Sequence, residues 1–275
     1  MPRMTVPAES PAPTATPAPA FTRELLPVRL TDPLRWLRAG WSDLRAAPGI
    51  ALFYGLCFWL MALTLQAVFR NKPEYTLSFV SGCFLVGPFL AMGLYEVSRR
   101  REQGLPQSLG ASLTCWDGHL ASMGMLVLVL LLLELLWGRA SLVVFAVFFN
   151  TGMPTTASVM QAVFNPKNWQ FLGVYLLIGW IFASLVFSTC VVSIPMILDR
   201  DTDAITAGLA SMQVVAMRTG AMLVWGALIV ALVLGAMLLP WAAGLLVIGP
   251  WLGHASWHAY RGCFAWHAPG TMTAA

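Results

Sequence analysis

Long apolar runs alternate with short polar segments along this chain. A helix needs about 20 mostly apolar residues to cross the hydrocarbon core of a bilayer, and six runs come close to or exceed that length. In chain order, these predicted spans 1 to 6 are Ile50–Phe69, Leu77–Val97, Leu120–Trp137, Phe171–Leu198, Ala221–Leu239 and Ala242–Tyr260. The pattern predicts an all-α, polytopic membrane protein with six transmembrane helices.

The segments outside the spans carry further patterns. Residues 33–47 place apolar and Arg side chains on adjacent helical faces, which predicts an amphipathic interfacial helix on the inner membrane surface. Residues 140–149 are apolar but too few to cross by themselves, so we expect an interfacial or re-entrant segment on the outer side, with a continuation of span 3 as the alternative. Residues 1–30, rich in Pro and Ala, predict a disordered tail, and residues 265–275 predict a second, short tail around a membrane domain over 31–264.

The basic residues predict on which side of the membrane each segment between the spans lies. Of the 16 Arg and Lys residues, 12 lie in the segments before span 1, between spans 2 and 3, between spans 4 and 5, and after span 6. Since cytoplasmic loops carry the excess of basic residues, these segments are predicted to be cytoplasmic, as are both termini.

The amino-acid composition excludes several classes of protein. The chain is 58% hydrophobic and only 10% charged, with a mean hydropathy of +0.73, against roughly 25% charged residues in soluble domains. This excludes a soluble enzyme, a nucleic-acid-binding module and a disordered protein, because a folded soluble chain of this size cannot bury so much apolar surface.

Two spans share a passage. Gly87-Pro88 in span 2 and Gly249-Pro250 in span 6 lie in similar sequences at an offset of 162 residues, and Pro195 lies in span 4. Proline removes a helix hydrogen bond and kinks the span, and the preceding Gly lets a neighbouring helix approach. We expect three repeats, each an interfacial helix followed by a membrane hairpin.

Polar residues near the span ends are the candidates for chemistry. His254 and His258 share a helix face, which is typical either of a weak metal or haem site or of an interfacial anchor with Tyr260 and Arg261. Asp199, Arg200 and Asp201 follow span 4, where the carboxylates could hold a divalent cation or form a charged stop, with Asp203 as the N-cap of the next helix.

Two glutamates lie in or beside the apolar runs. Glu96 at the end of span 2 is expected to pair with a nearby arginine such as Arg99. Glu134 in span 3 is a functional candidate by default. Its place near the predicted outer end of the span favours a structural pair with Arg139 or an orientation toward the interface.

Three passages resemble a bacterial family of integral membrane proteins, the domain of unknown function 2189. They are Val86–Arg100, Ser193–Asp201 and Gly249–Arg261, and the opening Trp36–Trp41 is similar too, so the resemblance covers about Pro33 to Phe264. It implies a multi-pass protein of the bacterial inner membrane and no assigned activity.

No catalytic set is recognisable, so the leading hypothesis is a non-enzymatic protein that binds or helps to assemble other membrane components. Its expected partners are the lipid bilayer and a membrane protein or a second copy of itself, with no nucleic acid and no cofactor. One alternative is a small-molecule or lipid transporter, with a polar cavity between spans 2 and 6 at the Gly-Pro breaks. Another is an accessory redox or metal-binding protein that uses His254 and His258.

Overall fold

The computed structural model describes residues 22–72, 75–149 and 165–267, and this part of the chain is predominantly helical. The helices are α1 (Asp32–Ala46), α2 (Pro48–Asn71), α3 (Thr76–Glu102), α4 (Leu109–Thr114), α5 (Leu120–Phe148), α6 (Trp169–Cys190), α7 (Ser193–Arg200), α8 (Ala204–Met217), α9 (Thr219–Leu238) and α10 (Leu245–Cys263). Two short strands, β1 (Thr22–Leu25) and β2 (Phe264–His267), and three single-turn 3-10 helices, Asp117–His119, Pro166–Asn168 and Pro240–Ala242, complete the described elements. The all-α, polytopic architecture is confirmed.

Five helical stretches are long and apolar enough to cross a membrane. They are Pro48–Asn71, Phe79–Glu102, Leu109–Phe148, Trp169–Arg200 and Thr219–Leu238. The sixth predicted span corresponds to α10, which has 19 residues but is not among these stretches. Histidine, serine and arginine residues lower its hydropathy, so its crossing of the membrane stays a prediction.

Helix α10 lies at the centre of the packing, against α1, α2, α3 and α9. At two of these contacts, glycines allow the helix backbones to approach each other closely. A Cβ on Gly40 of α1 would lie 2.5 Å from the backbone nitrogen of Ala255, and a Cβ on Gly55 of α2 would lie 2.1 Å from the carbonyl oxygen of Leu246. Because any side chain would clash with backbone there, these glycines set the distance between the helices.

Helix α1 occupies the segment predicted as an amphipathic interfacial helix, and its apolar residues divide between two faces. Trp36, Leu37 and Gly40 are buried, mainly because this face packs on α10. Leu34 and Trp41 are exposed. The helix therefore does more than lie on a membrane surface: one face belongs to the protein core.

The apolar stretch after span 3 continues the helix. Helix α5 runs without interruption from Leu120 to Phe148, about 43 Å at 1.5 Å per residue. Of the three alternatives for residues 140–149, the structure supports a continuation of span 3 and not a separate interfacial or re-entrant segment. Gly138 and Arg139 resembled a boundary in the sequence, but neither residue prevents helical backbone hydrogen bonding.

Predicted span 4 is divided into α6 and α7. The break falls at Val191 and Val192, just before Pro195, which lacks the N–H that would bond to the carbonyl of Val191. The Val192 N–H donates to Ser211 Oγ at 3.3 Å, and Ser193 Oγ donates to the Ala207 carbonyl at 3.1 Å. These bonds join the break to α8.

The two predicted tails are shorter than expected, because part of each forms the sheet. Strand β1 pairs antiparallel with β2, with Thr22 opposite His267 and Leu25 opposite Phe264. The Leu26 N–H extends the pairing to the Cys263 carbonyl at 3.0 Å. The described ends of the chain thus lie side by side, while residues 1–21 and 268–275 lie outside the described part.

The two Gly-Pro pairs have different surroundings. Helices α3 and α10 each continue through their proline. A Cβ on Gly249 would lie 2.7 Å from the Phe58 ring, whereas a Cβ on Gly87 would meet nothing within 4 Å. The expected close approach therefore exists only at Gly249. The helix order fits three successive units, but the repeat itself stays a prediction.

Candidate functional site

The ends of four helices bring polar side chains together at one end of the bundle. We call this group the polar end cluster. Its members are Asp43 of α1, Glu96, Ser98, Arg99, Arg100, Arg101 and Glu102 of α3, Asp199 and Arg200 of α7, and His254, Trp257, His258, Tyr260 and Arg261 of α10. It contains every polar candidate from the sequence except Asp201, Asp203 and Glu134 with its expected partner Arg139, together with several residues that sequence reasoning missed.

Asp43 is the buried carboxylate on the α1 side, with 5% of its surface exposed. Arg101 donates from Nη1 to Asp43 Oδ1 and from Nη2 to Ser42 Oγ at 3.0 Å. His258 Nε2 lies 2.8 Å from Asp43 Oδ2. Both carboxylate oxygens therefore have partners, which offsets the cost of burying the group.

The same contacts affect the protonation of Asp43. Burial raises its pKa, but hydrogen bonds with His258 and Ser98, together with the positive charge of the histidines, lower it more. The net result is a pKa below the ordinary 3.8. Asp43 therefore keeps its negative charge and its partners to a lower pH than a free aspartate does.

His254 and His258 bind different partners. His254 Nδ1 lies 2.8 Å from Ser98 Oγ, whereas His258 bonds to Asp43. His254 is 1% exposed, and its Nε2 has no hydrogen-bond partner among the described residues. Across the described ranges, no group of three His, Cys, Asp or Glu side chains is placed to hold a metal ion, and the histidines here act as anchors between helices.

Glu96 pairs with arginine, as the sequence predicts. It is 4% exposed. Arg99 donates from Nε to Glu96 Oε2 at 2.7 Å, and its Nη2 lies 2.7 Å from the same oxygen. Arg100 Nη1 lies 3.7 Å from Oε1. Arg99 also donates to the Leu198 carbonyl at 3.3 Å, which ties α3 to α7.

Helix α10 contributes an arginine to two carboxylates. Arg261 donates to Glu102 Oε1 from Nη2 at 2.7 Å and from Nε at 3.0 Å, and its Nη1 lies 3.9 Å from Asp199 Oδ2. The Trp257 indole donates to Glu102 Oε2 at 3.0 Å, and the Tyr260 hydroxyl donates to Asp199 Oδ2 at 2.8 Å. These bonds join the ends of α3, α7 and α10.

Three arginines line an open space within this cluster. A cavity of about 350 Å³ is bounded by Arg99, Glu102, Gln103, Asp199, Arg200, Trp257 and Arg261. A second cavity of about 410 Å³ shares Arg99, Asp199 and Arg200 and extends toward His119 and Asp201. Guanidinium groups bind carboxylates and phosphates through paired N–H donors, so this space suits an anionic group.

The cavity position bears on the transport hypothesis. Polar space does lie between α3 and α10, but it is at their last turns, beside Glu102 and Arg261. Pro88 lies 14 residues before Glu102, about 21 Å along the helix. At the other Gly-Pro pair Pro250 is buried, and the Phe58 ring packs against Gly249.

The aspartates after α7 diverge instead of converging on one cation. Asp199 points into the cluster toward Tyr260. The side chain of Asp201 is 85% exposed, with Oδ1 3.6 Å from His119 Nε2, and the residue ends α7 in the left-handed conformation at φ 50°. Asp203 caps α8 by accepting from the Thr206 N–H at 2.9 Å, as predicted, and hydrogen bonds with Thr206 hold its pKa below the ordinary value.

Sequence reasoning missed Asp43 and Glu102. Asp43 follows Trp36 and Gly40 at helical spacing on the buried face of α1, a signal that was present but was overridden by the expectation of a surface helix. Glu102 ends α3 beside three arginines, and only the fold brings Arg261 to it across 159 residues.

Glu134 lies apart from this cluster, without the predicted arginine. Ser81 Oγ donates to Glu134 Oε2 at 2.8 Å, while Arg139 is exposed. The expected Glu134–Arg139 pair is absent from the ion pairs of the described residues.

The family comparison agrees with this architecture over the middle of the chain. A search of curated proteins and of solved structures finds no match. A family model described as predicted integral membrane protein matches residues 76–199, which run from α3 to α7. The passage Val86–Arg100 lies inside the matched range, whereas Gly249–Arg261 lies outside it. Over residues 76–199 the chain is thus similar to the family called domain of unknown function 2189, whose description as an integral membrane protein agrees with the apolar helices found here.

Proposed function

We propose that the protein is a non-enzymatic binding component of a bacterial inner-membrane assembly, and that its polar end cluster holds an acidic side chain of a partner membrane protein. The observation that carries this proposal is the cavity lined by Arg99, Arg200 and Arg261. The arginine distribution along the sequence favours a cytoplasmic position for the cluster and for both termini.

The lining chemistry supports binding over catalysis. Its charged groups are three arginines and two carboxylates, which leaves a net positive lining. Arginine stays protonated at any physiological pH, so it binds anions but does not exchange protons. A nucleophile paired with a general base is absent from the residues that line this cavity.

The internal ion pairs leave room for exchange with a partner. The side chains of Arg261 and Glu102 are 36% and 41% exposed, and exposed ion pairs contribute at most about 1 kcal/mol. A carboxylate from a partner can therefore replace Glu102 at Arg261 with little loss of stability.

The test is capture of the tagged protein from its native membrane in mild detergent, followed by mass spectrometry. Gln103→Glu is the informative variant, because Gln103 lines the cavity and the change adds a negative charge without removing an ion pair. A repulsion of about 1 kcal/mol lowers the affinity for an acidic partner about fivefold.

Arg35→Gln is the matched control, because the Arg35 side chain is 74% exposed and distant from the cavity lining. We expect one stoichiometric protein to be recovered with the wild type and this control, and to be depleted with Gln103→Glu. Recovery of lipid alone would overturn the proposal in favour of lipid handling. Equal recovery of the partner protein with the wild type and both variants would show that the cavity does not take part in binding it.

A further inference from the structure

A third cavity lies away from the polar end cluster, in the apolar part of the bundle. It has a volume of about 470 Å³ and is formed mainly by α5 and α6, with Val80 of α3. Its walls include Leu133, Trp137, Phe182 and Phe187, and its one charged lining residue is Glu134. We call this space the α5–α6 groove.

Glu134 occupies the middle of α5. Leu120 and Phe148 each lie 14 residues away, about 21 Å along the helix. The carboxylate is thus far from both helix ends, unlike its position in the shorter span predicted from sequence, where the aqueous interface was near. A carboxylate at such a position is costly unless something compensates its charge.

Within the described residues, only one of the two Glu134 carboxylate oxygens has a hydrogen-bond donor. Glu134 is 3% exposed, and Ser81 Oγ donates to Oε2 at 2.8 Å. The other oxygen, Oε1, is buried and has no hydrogen-bond partner within the described ranges. No described Arg, Lys or His forms an ion pair with Glu134.

We propose that the α5–α6 groove binds a lipophilic organic monocation, with Glu134 as its counter-ion. The unpaired oxygen attracts a positive charge more strongly here than it would in water, because apolar surroundings screen the attraction between charges only weakly. The rings of Trp137, Phe182 and Phe187 line the same space and favour a cation further through their π faces.

The cavity size favours a small molecule as the occupant. Its volume lies within the range of about 300–1,000 Å³ that is usual for small-ligand pockets. The apolar walls require an organic body around the charge, since a small hydrated metal ion would lose its water shell against them. This site does not depend on the function proposed for the polar end cluster.

The experiment measures binding of tetraphenylphosphonium to the full-length protein in lipid nanodiscs by equilibrium dialysis. Tetraphenylborate is the matched probe, with nearly the same size and the opposite charge. We expect one saturable phosphonium site per chain above the partition into protein-free nanodiscs, with at least about tenfold weaker saturable binding of the borate ion. Equal binding of the two ions would overturn the proposal, because it would show partition without charge recognition.

Variants connect the binding to the groove. Glu134→Gln keeps the side-chain shape and is expected to weaken phosphonium binding at least about tenfold. Gly179→Leu fills the groove while leaving the carboxylate in place, since Gly179 lines it beside Trp137, and it should abolish binding. Gly124→Leu on the same helix α5 is the control, because its Cβ would meet nothing within 4 Å. Unchanged affinity in both groove variants would exclude this site.

Discussion

Glu96 and Glu134 are both buried glutamates on long helices, with 4% and 3% of their surface exposed. Their surroundings differ in one respect. Glu96 has Arg99 at 2.7 Å and Arg100 at 3.7 Å, whereas Glu134 has a single hydroxyl donor, Ser81, among the residues that the structure describes. Equal burial therefore gives one carboxylate that stabilises the fold and one that is available to a cation.

The helices around these glutamates also differ in packing. On the side of α10, Gly40, Gly55 and Gly249 each have a neighbour where a Cβ would lie, at 2.5, 2.1 and 2.7 Å. On α5 and α6, Gly124 and Gly173 have open space within 4 Å. The helices that hold the paired charges are closely packed, and the α5–α6 pair leaves a groove beside the unpaired oxygen.

This difference separates two kinds of polar residue in a membrane protein. In the polar end cluster, carboxylates join helices through arginine and histidine partners, so removing one should affect the fold. At Glu134 the negative charge contributes little to the stability of the bundle, so the presence of a carboxylate there indicates a ligand.

The largest effect is expected from closing the glycine contact between α2 and α10. Gly55→Ala places a methyl group 2.1 Å from the Leu246 carbonyl oxygen, and overpacking of this kind costs about 3 kcal/mol. Gly124→Ala, in open space on α5, should change the free energy of unfolding by less than about 1 kcal/mol. Denaturant titration in mixed micelles measures both. Similar changes in the free energy of unfolding for the two variants would contradict the difference in packing between the α10 side and the α5–α6 pair.

Neutralising the two glutamates compares them directly. Glu96→Gln removes charge-assisted hydrogen bonds to Arg99, which contribute about 2 kcal/mol, so the unfolding free energy should fall by that amount. Glu134→Gln leaves no described cation without its partner and should be neutral or stabilising. A loss at Glu134→Gln as large as that at Glu96→Gln would contradict the separation.

Acid should affect the charged region through Asp43. Its pKa is held below 3.8 in the fold by His258 and Ser98, so the unfolded chain takes up this proton first as the pH falls. The stability from Asp43 is therefore complete above its ordinary pKa and disappears as the pH falls through the lower folded value. Unfolding titrations between neutral pH and pH 3 should show a smaller acid-induced loss in Asp43→Asn than in the wild type.

The smallest effect is expected on the exposed face of α1. Arg35 Nη1 lies 3.3 Å from Asp32 Oδ1, but the Arg35 side chain is 74% exposed. Such pairs contribute about 0–1 kcal/mol, so Arg35→Gln should leave the unfolding free energy within about 0.5 kcal/mol of the wild type. The same measurement on Arg101→Gln, whose partner Asp43 is buried, should show a clearly larger loss.

The sequence predicted the helical elements well because hydrophobicity over about 20 residues is a local signal. Spans 1, 2 and 5 correspond to α2, α3 and α9 within a few residues. The errors arose where polar residues suggested an end, as Gly138 and Arg139 did inside α5. The site residues were recognised one by one through their charge, but their partners were predicted only where these lay within a helical turn, as for Glu96 and Arg99.

The amino-acid sequence by itself determined that this is a helical membrane protein, because its apolar runs cannot be buried in a soluble fold of this size. It also determined which charged residues lie beside the spans. Only the tertiary structure decided which charges meet. Arg261 reaches Glu102 across 159 residues and His258 reaches Asp43 across 215, while one oxygen of Glu134 has no hydrogen-bond partner in the described part of the chain, because pairing depends on how the helices pack.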